Sequence, residues 1–388
     1  MADPGNPTGA EPAPGTGRSE VRSLPRERFD DLLHALRERG YRIHGPRPRD
    51  GAVVFEEIHS AADLPRGLRD EQEPGRYRLL PSGRDHLFDV VSGPGALKPH
   101  FFAPREPVVE VVTEEGRLRA RPVVPKVERR AFVGVRACDL AALARQDRIF
   151  LADRYPDAAY AARREGVFFV AVSCTRAVAT CFCTSMGTGP EVGEGADLAL
   201  VEDARGLLAR ADTAEGRAVL EDLELELADA ARVAAARAAV ESCAASMPRR
   251  LDPSGLPELL YENLAAARYD DVAERCLSCG SCTQVCPTCF CHDVRDEPDP
   301  AGAASTRVRH WGSCFDPDHA RIHGADFRPR VRERYRQWLV HKLGSWIDQF
   351  GESGCVGCGR CLTWCPVAID LTAEFGAIRD EAAGGGDP

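Results

Sequence analysis

The sequence predicts an α/β (α+β) N-terminal domain followed by an α-helical domain that carries two runs of cysteines. Two observations point to this fold class. Short, continuously apolar stretches alternate with helical patterns in the first part of the chain, as is typical of buried parallel strands. A long amphipathic helical pattern lies near the C-terminus, between the two cysteine runs. We expect a disordered tail at 1–20, an α/β assembly domain at 21–250, the cysteine-rich domain at 251–375 and a flexible tail at 376–388.

The N-terminal domain begins with one helix and three short strands. Residues 26–39 have a helical pattern with Phe29, Leu32 and Leu36 on one face, and Gly40 ends it. Apolar stretches bounded by polar and turn-forming residues predict strands at 52–55, 87–91 and 108–112.

The clearest α/β pattern lies in the middle of the chain. Apolar strands are predicted at 131–135 and 167–172, with a helix at 139–148 between them. Continuous apolar strands separated by a helix favour parallel pairing with a right-handed crossover. A further strand is predicted at 198–201, and the alanine-rich stretch 215–246 predicts one or two helices.

The cysteine-rich domain begins after a predicted linker at 252–257. Residues 258–275 predict a helix that leads into Cys276, and residues 296–304 predict a polar loop. The amphipathic helix beyond this loop has an apolar and aromatic stripe formed by Val331, Tyr335, Trp338, Leu339, Leu343, Trp346, Ile347 and Phe350. We favour packing against the cysteine region over a role as an electron-conducting path for this stripe.

Both cysteine runs have the spacing C-x2-C-x2-C-x3-C-P. The first contains Cys276, Cys279, Cys282 and Cys286, and the second contains Cys355, Cys358, Cys361 and Cys365. This is the bacterial ferredoxin pattern, in which thiolates hold the irons of a [4Fe-4S] cluster. So tight a turn can point peptide N–H groups at the sulfurs, and Gly280, Gly357 and Gly359 suit it because glycine adopts positive φ at little steric cost. The sequence therefore predicts two [4Fe-4S] clusters.

In this pattern the fourth cysteine of each run ligates the cluster of the other run. We therefore assign Cys276, Cys279, Cys282 and Cys365 to cluster 1, and Cys355, Cys358, Cys361 and Cys286 to cluster 2. The alternative is structural zinc, which favours two C-x2-C pairs. Two complete four-cysteine runs favour iron–sulfur clusters over zinc.

Half of the 16 cysteines lie outside the two runs. Cys138, Cys174, Cys181 and Cys183 follow predicted strands, and open α/β sheets place their ligands at the carboxyl ends of strands. They are either a third metal centre or redox-active thiol site, or small buried residues near a subunit contact; we favour the second interpretation because free cysteine is among the most buried residue types. Cys289, Cys291 and Cys314 are candidates to line a cluster pocket, and His292 is a candidate to hydrogen-bond a cluster ligand.

Other cofactor motifs are missing from the sequence. It contains neither G-x-G-x-x-G after a strand nor a P-loop, and its ten histidines form no convincing catalytic set, so no autonomous active site is evident. The formal net charge of -10 argues against nucleic acid as a partner. No apolar run has the length of a membrane span, and no signal-like segment opens the chain. We expect a cytoplasmic protein without direct membrane insertion.

Four segments carry a resemblance to a known family. They are Gly134–Leu140, Thr180–Pro190, Cys276–Cys291, and Arg334–Gly344 with the cysteine run that follows it. Together they resemble the 4Fe-4S dicluster family, which includes the beta subunits of sulfhydrogenase-type NiFe hydrogenases and the A subunit of anaerobic sulfite reductase. The resemblance covers about residues 25–375. It implies an α-helical, ferredoxin-like dicluster domain at 251–375.

The resemblance also implies a function and partners. In such complexes this protein relays electrons between the catalytic subunits and an FAD/NAD(P)-binding subunit; the catalytic subunits are the small and large hydrogenase subunits or the sulfite reductase catalytic subunit. The leading hypothesis is therefore the electron-transfer subunit of a cytoplasmic NAD(P)-linked NiFe hydrogenase of the sulfhydrogenase type. The alternatives are the A subunit of anaerobic sulfite reductase and, from a different class, a redox-sensing or assembly iron–sulfur module. The residues themselves leave open the catalytic partner, the cluster potentials, the direction of electron flow and the stoichiometry.

Overall fold

The computed structural model describes residues 20–95, 97–152, 154–300 and 304–384. The predicted tail at 1–20 lies outside these ranges except for its last residue, and so do the last residues of the predicted tail at 376–388. None of the helices in the described ranges is long and apolar enough to span a membrane.

The strands and helices have the following bounds. The strands are β1 (Val21–Leu24), β2 (Arg42–Arg49), β3 (Ala52–Glu57), β4 (Leu68–Glu73), β5 (Arg76–Pro81), β6 (Arg105–Glu114), β7 (Arg117–Pro122), β8 (Arg130–Val135), β9 (Phe168–Val172), β10 (Leu198–Asp203), β11 (Gly206–Ala211), β12 (His292–Pro298), β13 (Ala304–Trp311), β14 (Arg321–Ile322) and β15 (Ala325–Asp326). The α-helices are α1 (Phe29–Glu38), α2 (Lys98–Phe101), α3 (Ala137–Phe150), α4 (Ala158–Arg164), α5 (Ala214–Asp222), α6 (Ala230–Ala245), α7 (Leu256–Glu262), α8 (Arg268–Arg275), α9 (Ser281–Gln284), α10 (Val331–Val340), α11 (Trp346–Phe350), α12 (Arg360–Thr363) and α13 (Leu371–Gly384). The segments Arg26–Arg28, Ala61–Asp63, Cys183–Met186 and Pro317–Ala320 form 3₁₀ turns, and His341–Ser345 forms a π-helical turn.

Seven strands form the central sheet, in the order β1-β11-β10-β9-β8-β2-β3. The four central strands β10, β9, β8 and β2 pair in parallel, and the outer strands pair antiparallel. Side chains of β9 alternate between two cores: Phe168 and Val170 face α1 and α5, while Phe169 and Ala171 face α2, α3 and α4. This alternation arises because successive side chains of a strand point to opposite faces. The predicted α/β unit with parallel strands is confirmed, and the stretch 215–246 forms two helices.

The predicted strand at 87–91 is wrong. These residues are buried, but they form no strand. Their backbone groups are satisfied by side chains instead of a neighbouring strand: Glu202 accepts hydrogen bonds from the N–H groups of Leu87 and Phe88 at 2.8 Å, and Arg136 donates to the carbonyls of Phe88 and Val90. An apolar stretch predicts burial, whereas the partners of its backbone depend on residues far away in the chain.

A second sheet contains strands from both halves of the chain, in the order β12-β13-β6-β7. The predicted polar loop at 296–304 is therefore wrong in part, because β12 and β13 form an antiparallel hairpin there. β13 also pairs with β6. Because β6 lies far away in the sequence, the local sequence pattern does not show that the polar hairpin has this partner. The region between the cysteine runs is thus not wholly helical as expected.

The C-terminal part is otherwise helical and has its own core. The predicted helix at 258–275 is interrupted and forms two helices, α7 and α8. Asn263 caps the end of α7, and α8 begins at Arg268. The aromatic stripe follows α10, the π-helical turn and α11, and it packs into the same core as cysteines of both runs. Tyr335, Trp338, Leu339, Leu343 and Trp346 are buried, and this outcome confirms packing for most of the stripe.

The expectation of a flexible tail from residue 376 is wrong as far as residue 384, because α13 continues to Gly384. Ile378 is fully buried in the C-terminal core, and Arg379 binds the carboxylate of Asp252 and the carbonyl of Ser254. These contacts attach the last described helix to the segment that precedes α7.

Candidate iron–sulfur sites

The first three cysteines of the first run share a cavity with the last cysteine of the second run. Cys276, Cys279, Cys282 and Cys365 all line this cavity, which has a volume of about 30 Å³ and is also lined by Cys361, Phe315 and Trp338. The thiol of Cys282 interacts electrostatically with Cys276, Cys365 and Cys279, and also with Cys286. The four cysteines assigned to cluster 1 therefore lie close together, with Cys286 and Cys361 of the other set beside them.

The first three cysteines of the second run gather around Cys286. The thiol of Cys361 interacts with Cys355, Cys358 and Cys286, and the thiol of Cys355 interacts with Cys358 and Cys286. Cys286 and Cys355 are buried, and Cys358 and Cys361 are half-buried. The four thiols assigned to cluster 2 therefore lie close together, and Cys282 of the other set also interacts with Cys361.

The backbone of each run turns its N–H groups toward sulfur. Ser278 N–H donates to Cys276 Sγ at 3.4 Å, and Gly357 N–H donates to Cys355 Sγ at the same distance. Gly280 and Gly359 have φ of 72° and 74° and precede the short helices α9 and α12. These N–H groups oppose the negative charge that a cluster brings, because they act as fixed dipoles directed at its ligands.

Burial keeps these thiols in the neutral form until a metal replaces the proton. It raises the pKa of Cys276, Cys282, Cys358 and Cys361, and it raises the pKa of Cys355 to about 11. Among the described residues, no group of three His, Cys, Asp or Glu side chains is compact enough to hold a single metal ion. The first set of cysteines lines a cavity instead, and an all-thiolate lining fits an iron–sulfur cluster.

A buried lysine contacts the fourth cysteine of the first run. Lys342 Nζ lies 3.2 Å from Cys286 Sγ and donates to Thr288 Oγ1 at 3.0 Å. Burial lowers the pKa of Lys342, but the thiolates of Cys286, Cys289 and Cys355 raise it more, so its pKa lies well above the usual value. Hydrogen bonding from Cys289 and the charge of Lys342 lower the pKa of Cys286. Lys342 therefore places a positive charge on the second cluster site.

A second buried lysine lies nearby. Lys98 Nζ donates to the carbonyl of Thr283 at 3.1 Å and lies 3.8 Å from the centre of the Trp311 ring. Burial lowers its pKa, and the nearby thiols of Cys289 and Cys286 oppose this shift. The whole sequence contains three lysines, at 98, 126 and 342, and two of them are buried beside these cysteines.

A buried arginine lies between the second cluster site and the α/β unit. Arg360 forms an ion pair with Asp139 at 2.8 Å, and both side chains are 1 % exposed. Arg360 Nε also donates to the carbonyl of Gly93 at 2.8 Å. Its charge acts on the thiols of both Cys358 and Cys138. Arg360 therefore connects a cysteine of the second run with a cysteine of the N-terminal half.

The four cysteines of the predicted third group also come together. Cys183 interacts with Cys174, and Cys181 interacts with both of these thiols. Cys138 lies beside Cys183 and Cys358. All four belong to a small buried cluster with Val91, Val178 and Met247.

The remaining cysteines lie beside other thiols. Cys289 lies beside Cys286, Cys291 lies beside Cys314 and His319, and Cys243 lies beside Cys174 and Cys183. The predicted contact of His292 with a cluster ligand is not seen: His292 is exposed, and its Nδ1 lies 3.1 Å from the carbonyl oxygen of Phe290. His319 is the histidine that contacts a thiol, a role that its sequence position does not suggest.

The glycine-rich loop after Cys183 lines a surface cleft. Gly187, Gly189, Gly193 and Gly195 contribute to it, together with the carboxylates of Asp147, Glu191 and Glu194 and the side chain of Arg164. Carboxylates repel phosphate, so the cleft does not have the composition of a typical dinucleotide site.

Sequence reasoning missed the charged residues around the clusters. Lys342, Lys98, Arg360 and Asp139 are each buried beside cysteines that lie far away in the sequence. One signal was present: the rarity of lysine in a chain whose Lys and Arg together number 50. In a chain that uses arginine for most of its cations, the position of each lysine is informative.

Comparison with known proteins agrees with the site. Residues 275–369 match the family model described as a 4Fe-4S dicluster domain. The chain is 28% identical over 361 residues to sulfhydrogenase 2 subunit beta of Pyrococcus furiosus, and the match covers 92% of this chain and 98% of that protein. The resemblance recognised from the motifs is confirmed. The C-terminal region thus contains the match to a 4Fe-4S dicluster domain, which supports iron–sulfur clusters in this region.

Proposed function

We propose that this protein is the electron-transfer iron–sulfur subunit of a cytoplasmic NAD(P)-linked NiFe hydrogenase of the sulfhydrogenase type. It relays electrons between the small and large hydrogenase subunits on one side and an FAD/NAD(P)-binding subunit on the other. The observation that supports this proposal is the gathering of all eight cysteines of the two runs in one region: Cys365 lines a cavity with the first three cysteines of the first run, and Cys286 interacts with those of the second run. Likeness to a sulfhydrogenase subunit over nearly the whole chain supports the choice of complex.

We assign two [4Fe-4S] clusters to the two sites. Cluster 1 is held by Cys276, Cys279, Cys282 and Cys365, and cluster 2 is held by Cys355, Cys358, Cys361 and Cys286. When bound, such clusters accept and release single electrons. The chain itself supplies the thiolates, the N–H groups that face sulfur and the buried cation Lys342.

The two parts of the chain have different proposed roles. Residues 251–375 form the ferredoxin-like domain that conducts electrons, and residues 21–250 form the domain used for assembly with other subunits. The sheet that joins β6 with β13 crosses the boundary between them and keeps the two parts in contact. The sequence has no recognised nucleotide-binding motif, so the oxidation of NAD(P)H is assigned to a partner.

The test is reduction of the purified protein by different donors under anaerobic conditions. On its own it accepts electrons from dithionite but fails to oxidise NADH or NADPH at an appreciable rate, and addition of the flavin subunit restores reduction by the nicotinamide. Cys279→Ser and Cys358→Ser interrupt hydrogenase turnover while the flavin subunit still reduces an artificial dye. Cys243→Ser, which lies outside both runs, serves as the control and leaves turnover intact.

Three outcomes contradict the proposal. Oxidation of NAD(P)H by the isolated protein would place a flavin site in this chain. Co-purification with a sulfite reductase catalytic subunit would replace the hydrogenase by its alternative. Clusters that do not reduce and reoxidise within turnover would indicate a redox-sensing or assembly module.

A further inference from the structure

We propose that Cys138, Cys174, Cys181 and Cys183 hold a third [4Fe-4S] cluster next to cluster 2. The inference deepens the proposed function, on which it rests for its role in electron transfer, because it extends the relay into the N-terminal domain. Its iron content can nevertheless be tested without any partner subunit.

The fold brings these four thiols together from three segments. Cys138 lies in the first turn of α3, directly after β8, and Cys174 follows the neighbouring parallel strand β9. The carboxyl ends of parallel strands lie at the same edge of the sheet, so both thiols reach the same place. The loop that carries Cys181 and Cys183 then returns to this edge, where Cys174 N–H donates to the carbonyl of Pro190 at 3.1 Å.

The four thiols lie in or against one small apolar cluster. Cys181 and Cys183 are buried among Val91, Val178 and Met247, and all four thiols are free. Burial raises the pKa of Cys138, Cys181 and Cys183, as it does for the thiols of the two cluster sites. Cys183 interacts with Cys174, Cys181 and Cys138, so this thiol links the three segments.

The same loop forms part of the wall of the second cluster site. Phe182 N–H donates to the carbonyl of Gly357 at 2.9 Å, and Thr188 Oγ1 donates to the carbonyl of Val356 at 2.6 Å. A Cβ atom at Gly357 would lie 2.5 Å from the carbonyl oxygen of Phe182, and one at Gly359 would lie 2.2 Å from that of Thr180. The two backbones are therefore as close as glycine allows, which places the two thiol groups side by side.

Charge is balanced across this boundary. Arg360 acts on Cys138 from the third group and on Cys358 from the second run, and Asp139 holds its guanidinium in place. A buried cation between two thiolate sets offsets the negative charge of both. The reaction that this arrangement supports is transfer of one electron: the donor cluster is oxidised by one electron, the acceptor cluster is reduced by one, and no bond or proton changes place.

The experiment measures iron and acid-labile sulfide in the full-length chain, purified or reconstituted without oxygen. Three clusters give roughly twelve irons per chain, whereas two give about eight. The double variant Cys181→Ser with Cys183→Ser should lose about four irons and keep the other eight. Cys243→Ser is the matched control. Cys243 belongs to the helix α6 and lies beside Cys174. The iron content of this variant should equal that of the unaltered chain.

Electron paramagnetic resonance of the dithionite-reduced chain provides the second measurement. A third reduced signal, coupled magnetically to cluster 2 and missing from the double variant, supports the proposal. About eight irons in the unaltered chain would overturn it, and this result needs no variant to fold. The proposal would also be overturned if the double variant Cys291→Ser with Cys314→Ser lost the roughly four additional irons while the double variant Cys181→Ser with Cys183→Ser kept them. None of these results depends on NAD(P)H oxidation, so the inference and the proposed function can fail separately.

Discussion

The two cysteine runs have the same spacing but lie in different surroundings. In the first run Cys279 is exposed and Leu277 is 64% exposed, whereas in the second run Cys355 is buried and Val356 is 2% exposed. The first run therefore faces the surface beside an open cavity. The second is enclosed between the helical core and the loop that carries Phe182. Spacing sets which thiols can share a cluster, while the surroundings decide which site a partner can approach.

Two equivalent positions of the runs show how their surroundings differ. Ser278 and Gly357 both lie between the first and second cysteines of their runs, with φ of 53° and 63°. Ser278 carries a side chain in this left-handed conformation and donates to the carbonyl of Phe315 at 3.1 Å. A side chain at Gly357 would collide with the backbone of Phe182. The positive φ belongs to the motif, but the need for glycine comes from the neighbouring loop.

The largest expected effect comes from removing the exchanged cysteines. Cys286→Ser should chiefly disturb the cluster of the second run, and Cys365→Ser should disturb the cluster of the first run, because each fourth cysteine lies with the other set. Each variant is expected to lose or convert one cluster, as measured by iron analysis and by paramagnetic resonance of the reduced protein. If each change affects only the cluster of its own run, the exchange is wrong. Cys243→Ser controls for general damage.

An intermediate effect is expected when Gly357 is replaced by serine or Ser278 is replaced by glycine. Gly357→Ser should reduce the free energy of unfolding by about 3 kcal/mol, because the added Cβ forces the loop at Phe182 away. Ser278→Gly loses one hydrogen bond and relieves a strained φ, so its change should stay within about 1 kcal/mol. Thermal unfolding without oxygen measures both variants. Equal destabilisation would show that the loop at Phe182 does not distinguish the two runs.

The smallest effect is expected from removing charge at the enclosed site. Lys342→Met should lower the reduction potential of cluster 2 by on the order of 100 mV, because a reduced cluster gains a negative charge that this ammonium group stabilises. Redox titration followed by paramagnetic resonance measures the potentials of both clusters. Lys126→Met, at an exposed position, is the control and should leave both unchanged. A larger shift at cluster 1 than at cluster 2 would contradict the position of Lys342.

The sequence alone determined the chemistry of the cysteine runs and part of the regular elements. The spacing of each run is local, so it directly restricts which thiols can bind one cluster. Continuous apolar runs predicted the strands 131–135 and 167–172, and helical periodicity predicted the burial of the aromatic stripe, because a side chain's face follows from its position in the helix. The same local patterns failed at 87–91 and at 296–304. There the partners of the backbone, the carboxylate of Glu202 and strand β6, lie far away in the chain.

Only the tertiary structure decided what surrounds each site. Lys342 contacts Cys286, Arg360 binds Asp139, and the loop at Phe182 lies against Gly357, yet none of these pairs is close in sequence. A buried charge has its effect through distance and low dielectric, and neither is encoded in local periodicity. The folded chain therefore made one of two identical motifs an exposed site and the other an enclosed, positively charged one.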